Sequence, residues 1–99
     1  MTHRIRFAPS ARADLERLYR FLAEQDISAA EAAWRALDQA WGLLGSFPFA
    51  ARKVDPDNAL LRELVIPFGG SGYVAIYRID DSRTVTILAV RHQREDDYH

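Results

Sequence analysis

Three apolar runs rich in β-branched residues crowd into the second half of this chain, at positions 60–66, 73–79 and 84–90. Only short turns separate them, so neighbouring runs must fold back on each other as an antiparallel meander. The first turn, Pro67-Phe68-Gly69-Gly70-Ser71-Gly72, reads as a flexible hairpin loop. It is not a phosphate loop, because it lacks Gly-Lys-Ser/Thr and no helix N-terminus follows it. The second, Asp80-Asp81-Ser82-Arg83, is short and tight. The last run passes without a break into Arg91-His92-Gln93-Arg94-Glu95-Asp96-Asp97-Tyr98. A sheet of this kind has one face to cover, and the first half of the chain must supply the cover.

That half alternates and then turns helical. Ile5 and Phe7 fall on one side of an opening strand, with Arg4 and Arg6 on the other. Pro9 suits the first position of a helix, where its missing N–H costs nothing. Ala11, Leu15, Leu18 and Leu22 then form an apolar stripe that Tyr19 widens, while Glu16 and Glu24 each sit four residues from Arg20 on the opposite face. The pattern breaks at residues 25–27. Ser28-Ala29-Ala30-Glu31 has the spacing of a capping box. Ala30, Ala33, Trp34, Leu37, Trp41 and Leu44 make a second stripe, ended by Gly45 and Pro48. Both tryptophans are expected in the core. Two amphipathic helices joined by three or four residues form an antiparallel hairpin. Residues 47–58 read as an irregular connection carrying Arg52 and Lys53.

The opening strand has no close neighbour in sequence and must pair with a later one. The predicted class is therefore α+β: an N-terminal strand, a helical hairpin on one face of a curved antiparallel sheet of about four strands, and a short C-terminal helical turn. Ninety-nine residues make one domain, 1–99, and no second.

Composition narrows the function. The chain has no cysteine, so neither disulfides nor thiolate metal sites are expected. No run approaches the roughly 20 apolar residues that span a bilayer, and the opening residues are too charged for a signal peptide, so a cytoplasmic address is the default. Net charge is −1, despite twelve arginines beside the single Lys53. Proteins that bind by neutralising many phosphates carry a basic excess; contact with nucleic acid here would have to come from a local patch.

The candidate patch is Arg62, Arg78 and Arg91, each in or at the end of a different meander strand. Alternation allows all three to share one sheet face, with His92 and Tyr98 at the rim, although Arg62 shares its phase with Leu64 and Ile66. Such a patch serves metal-free RNA cleavage, in which arginines stabilise the phosphorane and His92 and Tyr98 divide the acid and base roles. It equally serves the binding of an acidic protein segment through arginine forks. Glu95, Asp96 and Asp97 oppose the first use. His92, His99 and Asp96 lack metal-ligand spacing, and Ser71 lacks the strand–nucleophile–helix setting of a hydrolase. No cofactor, metal or small-molecule substrate is expected.

Four segments together carry a resemblance: residues 5–15 (Ile-Arg-Phe-Ala-Pro-Ser-Ala-Arg-Ala-Asp-Leu), Leu61-Arg62-Glu63-Leu64, Gly72-Tyr73-Val74-Ala75-Ile76-Tyr77-Arg78 and residues 87–98. They resemble the RelE/ParE toxin superfamily, the toxin halves of bacterial type II toxin–antitoxin pairs, often described as plasmid stabilisation proteins. The resemblance implies a neutralising antitoxin, with a ribbon-helix-helix or similar DNA-binding N-terminus, that lays an extended and helical segment across the toxin. RelE-like members cut mRNA at the ribosome, which would make Arg62, Arg78, Arg91, His92 and Tyr98 catalytic. ParE-like members inhibit DNA gyrase, which would make Arg62, Arg78, Arg91 and Arg94 target-binding. The single lysine, the Glu95–Asp97 run and the Arg-His-Gln-Arg-Glu ending favour the ParE side.

Overall fold

The computed structural model describes residues 2–93. Its elements run β1 (Arg4–Phe7), α1 (Pro9–Gln25), α2 (Ile27–Ser46), β2 (Arg52–Asp55), β3 (Asn58–Phe68), β4 (Ser71–Ile79) and β5 (Thr84–His92). The five strands form one sheet in the order β1-β5-β4-β3-β2, with the helices on one side. The class is the expected α+β. Two details of the sheet differ from the expectation: it has five strands rather than four, and it is mixed, because β1 lies parallel to β5. The extra strand, β2, falls inside the stretch read as irregular. It is four residues long, exposed throughout, and its register with β3 slips between Lys53 and Asp55. A strand with no buried face has no apolar alternation to announce it.

Local chemistry explains the helices. Pro9 opens α1, and no side chain caps that end. Ser10 spends its hydroxyl instead on the Leu88 carbonyl at 2.7 Å, and Asp14 accepts the Val90 N–H at 3.0 Å. Both serve the irregular step in β5, where the pairing with β4 shifts between Ile76 and Tyr77. They hold α1 along β5. The expected capping box does not form. Asp26 is the N-cap of α2 and accepts the Ser28 N–H at 2.9 Å, so the hairpin turns on a single residue. An Asp side chain satisfies the orphan donor as well as Ser would, two residues earlier. At its far end α2 returns to the start of the sheet, where the Gly45 carbonyl accepts the His3 N–H.

The core lies between the hairpin and the sheet. Leu15, Leu18, Leu37 and Leu44 pack on Tyr73, Tyr77, Ile87 and Val90, all nearly or fully buried. Tyr77 satisfies its hydroxyl by donating to the Pro48 carbonyl at 2.6 Å, which ties the residues after α2 to the core. The first meander turn is tighter than its composition suggested. Phe68 and Ser71 pair directly, leaving only Gly69-Gly70 as the loop, and Gly69 takes φ 60°, where a side chain would be strained. The helical turn expected near the C-terminus lies beyond the described residues.

Candidate functional site

Strand register decides which face each arginine serves. In β4, Tyr73, Ala75, Tyr77 and Ile79 point to the helices, so Val74, Ile76 and Arg78 point away from them. Arg62 stands opposite Tyr77 and so shares the helix side; Arg91 stands opposite Val74 and shares the open face with Arg78. The three arginines do not converge. The phase that set Arg62 beside Leu64 and Ile66 in the sequence is the physical reason.

Arg62 is occupied in holding the fold. Its guanidinium donates to three carbonyls, those of Ala59 at 2.8 Å, Phe49 at 3.0 Å and Ala51 at 2.8 Å, and it lies 5.1 Å from the centre of the Phe49 ring. A fork with several donors in one plane suits a chain reversal that leaves several carbonyls in a row without partners. It pins the segment between α2 and β2. His92 also turns to the helix side, edge-on to Tyr73 with ring centres 5.6 Å apart. Arg94 and Tyr98 lie outside the described residues, as do Asp96 and His99.

On the open face Arg78 donates to Asp80 at 2.6 Å, and the Thr86 hydroxyl bonds the other oxygen of the same carboxylate. Burial works against the charged carboxylate, but these two bonds and the nearby positive charges of Arg78 and Arg6 outweigh it and hold Asp80 below the usual carboxylate range. Arg6 arrives because β1 pairs with β5, setting it opposite Thr86, while Arg4 stands opposite Thr84. The alternation of β1 foretold that these arginines share a side, but nothing local in sequence could signal a parallel pairing across some eighty residues. Arg78 and Arg91 are four β4 positions apart, about 13 Å along the strand. The Asp80 bond draws Arg78 further from Arg91. On the same face Arg52 of β2 pairs with Glu63 at 2.6 Å.

A second surface was not anticipated. The outer sides of α1 and α2 bound a cleft of about 1240 Å³ lined by Leu15, Tyr19, Trp34 and Trp41, with Arg20, Glu24 and other charges at its rim. Tyr19 and Trp34 meet edge to face at 5.8 Å, as do Phe7 and Trp41 at 5.4 Å. Trp34 is 48% exposed, so it lines this cleft and does not sit in the core as expected. Its place on the stripe beside Leu37 concealed that. Among the described residues no group of three or more His, Asp or Glu is placed to hold a metal ion, and no helix is long and apolar enough to cross a membrane.

A helical hairpin packed on one face of a mixed five-stranded sheet is a fold that solved toxin–antitoxin proteins share. The chain belongs to the ParE toxin family of type II toxin–antitoxin systems, parDE, which it matches across residues 5–97. It is 37% identical over 95 residues to Toxin RelE1 of Caulobacter vibrioides, covering 96% of this chain and 98% of that one. Its fold is similar to that in the toxin–antitoxin complex RelBE2 of Mycobacterium tuberculosis, with 29% identity, a TM-score of 0.62, and 94% and 100% of the two chains covered. It is also similar to the chromosomal ParDE system of P. aeruginosa, with 15% identity, a TM-score of 0.71, and 92% and 96% covered. The RelE/ParE superfamily expected from the sequence is the right one, and the chain is the toxin component of a type II pair.

Proposed function

We propose that this toxin acts by binding a protein target, DNA gyrase, and that a cognate antitoxin neutralises it by covering its arginine-bearing face and helical cleft. One observation carries the reading: Arg62 and His92 lie on the helix side of the sheet, while Arg78 and Arg91 lie on the other. Metal-free RNA cleavage needs a proton-transfer group and a cationic stabiliser around one phosphate. Among the described residues His92 and Arg91 face opposite sides of the sheet, and Arg62, which shares the side of His92, already serves three carbonyls. The slightly acidic total charge supports a protein target as well. The test is a supercoiling assay with purified toxin. Inhibition at micromolar concentration is expected; none, with the protein shown to be folded, counts against the reading.

A second reading is favoured by the relative named Toxin RelE1: cleavage of mRNA on the ribosome. It requires Arg91→Ala and His92→Ala each to abolish growth arrest while antitoxin binding survives. Under the first reading His92→Ala leaves growth arrest in place.

A further inference from the structure

The segment between α2 and β2 is tied down from beneath and apolar on its outer side. Pro48 turns in, buried, and its carbonyl accepts the Tyr77 hydroxyl, while the carbonyls of Phe49 and Ala51 accept from Arg62. Main-chain bonds add to this: the Phe47 N–H donates to the Leu43 carbonyl at 2.8 Å, and the Ala50 N–H to that of Phe47 at 3.1 Å. Residues 47–51 belong to no helix or strand, yet side chains and main chain both fix them. The side chains on either side of Pro48 turn out. Phe47 follows Leu43 by one turn of α2, and the Phe49 ring lies against Arg62, whose neighbour two positions back on the same side of β3 is Leu60. Leu43, Phe47, Phe49 and Leu60 are each between 47% and 60% exposed. Single apolar residues on a surface need no explanation, but four gathered at one rigid corner mark a docking surface.

The corner is separate from the surfaces described so far. Leu43 is two residues past Trp41, which puts it on the flank of α2 turned away from the cleft. It also lies on the helix side of the sheet, away from Arg78 and Arg91. Its charge is one-signed. Lys53 is the cross-strand partner of Arg62 and so stands on the same side, exposed. No carboxylate of the described residues pairs with Lys53, whereas Arg52 on the other face is held by Glu63. The nearest acid along β2, Asp55, is engaged in the turn, where it accepts the Asp57 N–H at 2.9 Å. A second copy of this corner would bring apolar groups and more positive charge. What fits is a segment that brings its own carboxylate.

We propose that Leu43, Phe47, Phe49 and Leu60, with Lys53 at the rim, form the surface by which the toxin holds its protein target, and that they receive an apolar segment of the target flanked by a carboxylate. This rests on the gyrase reading above and names the surface that reading requires. Phe47 and Phe49 are the anchors, and the carboxylate pairs with Lys53. Because Arg62 and Tyr77 fix the segment before binding, little freedom is lost when the target closes on it.

The test is supercoiling by purified gyrase in the presence of the parent toxin, Phe47→Ala, Lys53→Glu, Lys53→Arg and Phe21→Ala. Phe21 is 58% exposed and lies at the other end of the hairpin, so it controls for the loss of any surface aromatic. Phe47→Ala and Lys53→Glu are each expected to raise the concentration for half inhibition about tenfold. Lys53→Arg and Phe21→Ala inhibit as the parent does, and all four keep its affinity for the product of the adjoining reading frame. Inhibition by the parent that Phe47→Ala and Lys53→Glu leave unchanged overturns the proposal and leaves the gyrase reading standing. A folded parent that does not inhibit overturns both. Equal loss of antitoxin affinity, or a parent dimer that Phe47→Ala splits, gives the corner another occupant and overturns the proposal as well. Should Phe47→Ala not fold, Lys53→Glu, a change at an exposed side chain, decides alone.

Discussion

Arg62 and Arg78 occupy adjacent strands one residue apart in register, yet they belong to different parts of the molecule. Arg62 faces the helices and spends its guanidinium on carbonyls of the segment that links α2 to β2. Arg78 faces outward, with its side chain 53% exposed, and holds one carboxylate. The difference teaches that an arginine's role here is set by strand phase rather than by proximity. The helix face uses its polar groups to satisfy its own backbone, and the open face pairs them with carboxylates at the surface. Substitutions on the two faces should therefore separate stability from binding.

The largest stability loss is expected deepest on the helix face. Tyr77 is fully buried, fills the space under the hairpin, and donates to Pro48. Tyr77→Ala leaves a cavity and an unpaired carbonyl, and should cost about 3–5 kcal/mol in urea unfolding. Tyr77→Phe isolates the hydroxyl and should cost about 1 kcal/mol. Equal losses in the two variants would mean that the bond, and not the ring, holds the corner.

Arg62→Ala comes next, at about 1–3 kcal/mol, because the carbonyls of Phe49 and Ala51 lose their donor together. Faster amide exchange should appear in β2 and leave β4 and β5 unchanged. Loss of toxicity with full retention of stability would instead make Arg62 part of the working surface.

How much of this division could be read in the sequence depends on how local its causes are. The meander, the hairpin and the stripes rest on spacings of two to four residues, and they stand as expected. The phase of Arg62 was visible beside Leu64 and Ile66, and it pointed to the helix side. What stayed hidden was long-range or without pattern. The parallel pairing of β1 with β5 leaves no turn to mark it, so Arg6 and Arg4 could not be placed beside Thr86 and Thr84. β2 has no buried face, and Trp34 sits on a stripe that supplies both core and cleft. The cleft between the helices needs two elements at once.

On the open face the effects shrink. Asp80 bonds Thr86 and Arg78, and its carboxyl is held below the usual range. A carboxyl with a depressed folded value adds stability above its unfolded pKa of about 4 and loses it as pH falls through the folded value. Asp80→Asn should therefore cost about 1 kcal/mol at neutral pH and nothing once the acid is protonated in both states. Urea titrations of the two proteins from pH 7 to pH 2 should converge at the acid end. A gap that persists there would assign the loss to packing.

Arg78→Ala should have the smallest effect on stability, and it sharpens the comparison most. Its ion pair is more than half exposed on the arginine side, so solvent and salt screen it, and pairs of that kind contribute under about 1 kcal/mol. Thr86 remains to hold Asp80, so the β4–β5 turn keeps its shape. Removing the guanidinium leaves Asp80 less compensated and lowers the positive field that Arg6 and Arg78 create together. Unfolding midpoints should hardly move, while the affinity of the antitoxin complex falls and becomes less sensitive to salt. The contrast with Arg62→Ala, unstable but with its partner surface intact, is the measurement. If both variants lose stability alike and bind alike, the two faces do not divide their labour and the open one is only a solvated surface.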